Sequence, residues 1–175
     1  WCQTMSNLRL INETTVSSGV ATVNIEDVFS ADFDIYKISY TGTSASAVSV
    51  ELRLINSSGS VITASNYNNA HLSMTSHTAF AESRGTNQAF MDNFFAINSN
   101  NDGSSVGYLF NPFSSSSYTF GIFQGDSHNT TPQLWSAKGI SVLKQLSSCT
   151  GFQVFPNSAN LNSAKIRTYG LRVDS

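Results

Sequence analysis

Few side chains in this 175-residue sequence are equipped for acid–base or metal chemistry: the histidines His71, His77 and His128, and the cysteines Cys2 and Cys149. A catalytic site needs a nucleophile, a base or a metal held in fixed geometry. No HExxH, GxSxG or Walker-type run accompanies the histidines, and all three lie in polar segments. On one strand His71 and His77 would stand about 20 Å apart, too far to share a metal unless the chain turns between them. The run "NSNNDG" offers the oxygen-bearing Asn98, Asn100 and Asp102 and the sixth-place glycine of a calcium loop, but Leu109 occupies the place of its closing glutamate. A β-turn is the better reading there. These residues predict a chain that is not an enzyme and carries no metal or cofactor.

Recognition chemistry is a separate matter. Trp135 in "TPQLWSAKG" and Tyr67 in "SNYNN" could stack on the apolar face of a pyranose ring, as in a module that recognises host surface glycans. Inward packing or an interface is the competing role for each. The sequons at Asn12, Asn56 and Asn129 are what chance supplies in a chain so rich in Asn, Ser and Thr. Cys2 and Cys149 could pair across most of the chain, yet a domain of this size needs no staple, and free thiols are expected.

Charged residues make up only 11% of the chain and the net charge is −2, so the surface is one of hydroxyls and amides. The nine Lys and Arg form no basic stripe, which argues against nucleic acid and anionic membrane as partners. No run approaches the length needed to span a bilayer, and the opening "WCQTMSNLRL" lacks the apolar stretch of a signal peptide.

What must position any contact residue is a set of strands. Period-two alternation recurs and no long 3.6-residue period is present, so the fold class is all-β: a two-sheet antiparallel β-sandwich, jelly-roll-like, of about ten short strands. In "GVATVNI" the core-facing set is Ala21, Val23 and Ile25; in "AVSVELRLI" Val48, Val50, Leu52 and Leu54 face in while Ser49, Glu51 and Arg53 face water. "NSSGS" turns the chain and "VITASNY" returns it as a hairpin. Within residues 68–92, "AHLSMTS" is expected as a strand and "AFAESRGTNQ", with Phe80 and Arg84, as an exposed excursion toward a partner or a surface loop. Residues 1–19 form an arm or first strand and 20–175 one sandwich domain; Trp1, Met5 and Leu8 are apolar residues that a free arm would leave wet.

The closing "GFQVFPNSANLNSAKIRTYGLRV" reads as two strands around an amide-rich loop, with Phe152 and Val154 facing in, Pro156 ending the ladder and Leu161 plugging the loop beside Asn160. Its return strand places Ile166 inward and then Tyr169, Leu171 and Val173 at the opposite parity, so a bulge is expected near Gly170.

Three stretches, "FDIYKISYTG…VSVELRLINSSGSVITASNYNNA", "VGYLFNPFSSSSYTF" and the closing segment, resemble virion proteins of tailed bacteriophages, especially marine ones. The matching residues are Asp34, Tyr36, Lys37 and Ile38, then Leu52, Arg53 and Leu54, and finally Asn160, Ser163, Ile166, Tyr169, Gly170 and Leu171. Ala159 and Ala164 replace the glycines usual around the final loop, and Thr168 an aliphatic residue. The resemblance implies a capsid decoration, head-fibre or tail-fibre protein, resident in the virion. It further implies β-sandwich domains that often form trimers, and partners such as the major capsid protein or fibre neighbours. The candidate interface residues are those the residue reading has already met: Trp1, Met5, Leu8, Tyr67, Phe80, Arg84, Trp135, Asn160 and Leu161.

Overall fold

Alternating β-branched and aromatic residues between Gly, Ser and Asn turns dictate strands, and the computed structural model is built of strands throughout; it describes residues 7–76, 80–97, 103–128 and 134–172. Twelve strands follow in order: β1 (Leu8–Val16), β2 (Val23–Ile25), β3 (Ile35–Ser44), β4 (Val48–Asn56), β5 (Tyr67–Thr75), β6 (Ala81–Gln88), β7 (Met91–Ile97), β8 (Gly103–Phe110), β9 (Thr119–His128), β10 (Leu134–Leu143), β11 (Cys149–Pro156) and β12 (Leu161–Leu171). They form two antiparallel sheets, one of eight strands in the order β1-β12-β3-β8-β9-β10-β5-β6 and one of four in the order β2-β11-β4-β7. The sheets pack face to face as a sandwich.

One cluster of buried residues joins the layers. The large sheet contributes Tyr36, Ile38, Tyr40, Leu109 and Ile166, and the small one Val50, Leu52, Leu54, Phe94, Phe152 and Val154. Phe94 is central: its ring occupies the space that side chains at Gly107 and Gly121 would fill, and it meets Phe95 edge-on at 4.9 Å and Phe123 at 5.5 Å. Because that ring needs room, Gly107 and Gly121 face inward beside it, and their neighbours Tyr108, Phe120 and Ile122 face out. This arrangement creates the surface described below.

Several expectations are corrected. The closing strands are not a hairpin: β11 lies in the small sheet and β12 in the large one, so residues 157–160 cross between layers, which lets Phe152 and Ile166 enter the core from opposite sides. Parity does not switch at Gly170; Ala164, Ile166, Thr168 and Gly170 all face in, and the Phe33 ring lies 2.6 Å from where a Cβ at Gly170 would stand. The register shift sits instead on the partner strand, between Leu10 and Asn12. "VITASNY" does not return as a strand, since only Val61 bridges back to Ile55. Ala21 is exposed, whereas Val23 and Ile25 follow the expected parity. "AFAESRGTNQ" is not a loop but supplies edge strand β6, paired to β5. Glu51 is not wet but fully buried under the bulge of β7, where Asn93, at a positive φ of 54°, donates its backbone N–H to Oε2 at 2.6 Å.

Candidate interaction face

Cross-strand pairing places outward residues of the large sheet in rows. One row runs Leu8, Leu171, Ile35, Phe110, Phe120, Val142 from β1 to β10. The next runs Leu10, Tyr169, Lys37, Tyr108, Ile122, Ile140, Ala70, Arg84 across the whole sheet. A third is more polar: Glu13, Arg167, Ser39, Val106, Gln124, Lys138, Leu72, Glu82. Leu10, Phe120, Ile122 and Ile140 are exposed by 50%, 49%, 43% and 60%. Scattered exposed apolar residues are ordinary, but two adjacent rows of them across six strands form a continuous patch, which marks interaction surfaces.

Toward β6 this face is hollow. An open groove of about 1160 Å³ has Val106, Tyr108, Ile122 and Ile140 in its lining and Arg84 and Lys138 among its polar groups. Toward β1 the face carries its fixed charges: Arg167 Nε donates to Glu13 Oε2 at 2.6 Å, Lys165 lies 4.0 Å from the same carboxylate, and Lys37 Nζ sits 6.0 Å from the Tyr169 ring centroid. The Arg167 hydrogen bond holds the Glu13 carboxyl below its ordinary range.

The residues nominated by the sequence scatter relative to this surface. Leu8 and Arg84 lie on it, at opposite edges. Phe80, 71% exposed, immediately precedes β6. Asn160 is exposed in the crossover, where its backbone carbonyl accepts the Ala45 N–H. Trp135 is half-buried on the core-facing side of β10, opposite Ser127 and Thr75. Two nominations are corrected. Tyr67 is fully buried, its hydroxyl donating to the Ile62 carbonyl and accepting the Leu54 N–H, so its ring cannot meet a glycan. Leu161 is also fully buried: it plugs the loop as expected but presents nothing to a neighbour. Trp1 and Met5 lie outside the described residues, as do Cys2, His77 and the "NSNND" part of the calcium-like run.

Sequence reasoning missed Phe120, Ile122 and Ile140. The signal existed in "TFGIFQG", where bulky residues alternate with Gly121 and Phe123, but both parities carry aromatic mass and nothing local says which one faces the core.

The remaining chemical groups converge elsewhere. His71 faces the interior from β5, its Nδ1 3.9 Å from an Asp92 carboxylate oxygen at the β7 bulge beside Glu51. Burial first, and the neighbouring Asp92 carboxylate second, push the Glu51 carboxyl well above its ordinary value, so it keeps its proton beyond the usual glutamate range. Cys149 is a free, buried thiol that burial pushes up to about 12, which removes it from thiolate chemistry. Among the described residues no three His, Cys, Asp or Glu side chains come together to hold a metal.

No family model and no curated protein matches this chain. Among solved structures, it aligns with a chain of the structure of infectious bursal disease virus Gx strain at 11% identity and a TM-score of 0.18, covering 95% of this chain and 37% of that one. A TM-score that low carries no argument.

Proposed function

We propose that this chain is a non-enzymatic structural protein of a phage virion, a capsid-surface decoration protein whose work is contact between subunits. The observation that carries this reading is the outer face of the large sheet, where Leu10, Phe120, Ile122 and Ile140 stand open in two adjacent rows that are apolar but for Lys37 and Arg84. A side chain left in water forgoes about 1.5–3 kcal/mol of burial, and a protein that works alone has reason to cover it. Low charge supports the same role, because many copies held close on a shell repel one another less at a net charge of −2 each. The sequence resemblance points the same way.

The test is antibody labelling and cryo-electron microscopy of particles from the phage that encodes this chain. Regularly spaced label on the capsid is the expected result. Label confined to tail or head fibres moves the protein to those organelles, and purified particles free of label overturn the reading.

A further inference from the structure

The two sheets end in β1 and β6 on the large one and in β2 and β7 on the small one. An edge strand presents unpaired backbone N–H and C=O groups that another strand can join, and proteins blunt such edges with shortness, bulges or charge. Three of these edges are blunted along their length. The β2 strand has only 3 residues. The β7 strand shifts register against β4 between Val50 and Leu52 and holds Asn93 at a positive φ of 54°. The β1 strand shifts register between Leu10 and Asn12, and its Glu13 is held by Arg167 at 2.6 Å. The β6 strand is blunted at one end only: past Gly85 its register against β5 shifts, Asn87 stands at φ 54°, and the Gln88 side chain donates to the Thr86 carbonyl at 3.0 Å. From Ala81 to Gly85 it pairs regularly with β5, carries neither Lys nor Pro, and is exposed through Arg84.

Glu82 and Arg84 stand on the outward face of this run, and among the described residues neither has an ion-pair partner. We propose that Ala81–Gly85 pairs antiparallel with the same segment of a second copy, about a two-fold axis perpendicular to the sheet at Ser83, a contact beyond the capsid role proposed above. Glu82 then lies opposite Arg84 of the second copy, and Arg84 opposite its Glu82. Both charges left unanswered within one chain are thereby paired, while like charges fall on the more distant diagonals. Phe80, 71% exposed, comes against Thr86 of the second copy at each end.

Charge and pleat together leave one register. A slip of one residue sets outward side chains against inward ones. A slip of two, in either direction, opposes Arg84 to Arg84 or Glu82 to Glu82. This self-complementarity selects a second copy as the occupant, because an isologous contact needs a segment that answers itself. A strand of another sequence would have to supply an acid and a base at the same spacing. With the axis perpendicular to the sheet, both outer apolar faces end on one side, and the grooves toward β6 meet at the junction.

Sedimentation equilibrium on the full chain tests this, with an expected mass twice the 18.9 kDa of one chain. Glu82→Arg and Arg84→Glu, each alone, oppose like charges at both pairs and should weaken association about 10-fold or more. An equimolar mixture of the two variants should regain the native affinity as a heterodimer, because one copy then brings two arginines and the other two glutamates. Recovery on mixing also shows that neither variant has lost its fold. A single-chain mass at roughly 100 µM, a three-chain mass, association indifferent to both reversals, or a mixture no tighter than its components overturns the proposal. A monomer that still labels particles sinks this contact alone, and a dimer that labels none sinks the virion role alone.

Discussion

On the outer face of the four-stranded sheet the polar side chains are already occupied. Arg53 lies with its guanidinium 4.0 Å from the Phe155 ring centroid and 5.8 Å from that of Phe90, and donates to the Ala89 carbonyl at 3.2 Å and to Gln153 at 3.4 Å. Gln153 in turn donates to Asn24 at 2.9 Å, and Glu51 is buried under the β7 bulge. On the eight-stranded sheet the outer face is apolar and open. One face is polar yet closed on itself, and the other is apolar yet lacks a cover. The difference teaches that residue type does not identify the unfinished surface. Unsatisfied side chains do, and by that measure the open surface is the large sheet's, on which the proposed contact role rests.

The comparison holds only while both faces hang on one core, and Phe94 is the residue whose loss would break it. Its ring fills the space above Gly107 and Gly121 and packs on Phe123, so Phe94→Ala leaves a cavity between the sheets. The expected cost is about 3–5 kcal/mol, read as a lower denaturant midpoint. Both faces should go in one transition. Separate unfolding of the two sheets would show that they do not share a core.

Arg53→Ala sharpens the contrast. If the small sheet's face is closed by its own contacts, removing a solvent-side arginine should cost about 1–3 kcal/mol, from a stacked cation on two rings and two charge-assisted hydrogen bonds. A change below about 0.5 kcal/mol in urea unfolding would mean that these contacts are ordinary surface.

The sequence made the strands legible and left the layers ambiguous. In β4 the alternation of Val50, Leu52 and Leu54 against Ser49 and Arg53 assigned those residues correctly, because from Val48 to Leu54 only one parity is apolar. In β9 both parities carry aromatic mass, and a residue more than twenty positions away, Phe94, decided that Gly121 faces in and Ile122 out. Glu51 and Tyr67 went astray for the same reason: what buries them, the β7 bulge and the loop at Ile62, is distant or irregular and leaves no period in the sequence. Likewise Phe155 and Pro156 signalled the end of a strand, but not that the next strand would join the other sheet.

The closed face carries a pH dependence opposite in sign to that of Glu13 on the open face, whose lowered carboxyl gives stability that is lost as pH falls. Glu51 holds its proton to higher pH in the folded chain than in the unfolded one, so over that interval the folded state binds the extra proton. Stability therefore falls as pH rises above the ordinary glutamate range, and continues to fall until the raised folded value is reached. For one proton the slope is at most about 1.4 kcal/mol per pH unit. Glu51→Gln should flatten the dependence and raise the unfolding temperature at pH 8 relative to the native chain; an unchanged slope would assign the dependence to other groups.

The smallest effect on folding is expected at an apolar residue that stands open on the large sheet. Ile140 is 60% exposed at the centre of its strand, between Ile122 and Ala70 on the neighbouring strands. Ile140→Thr keeps the β-branched shape that suits a strand while exchanging a methyl-bearing carbon for a hydroxyl. This change should shift stability by no more than about 0.5 kcal/mol, read in urea unfolding, since little is buried there to lose. A fold that weakened by as much as Arg53→Ala would show that Ile140 already has its cover within one chain, and the two faces would then differ in composition only.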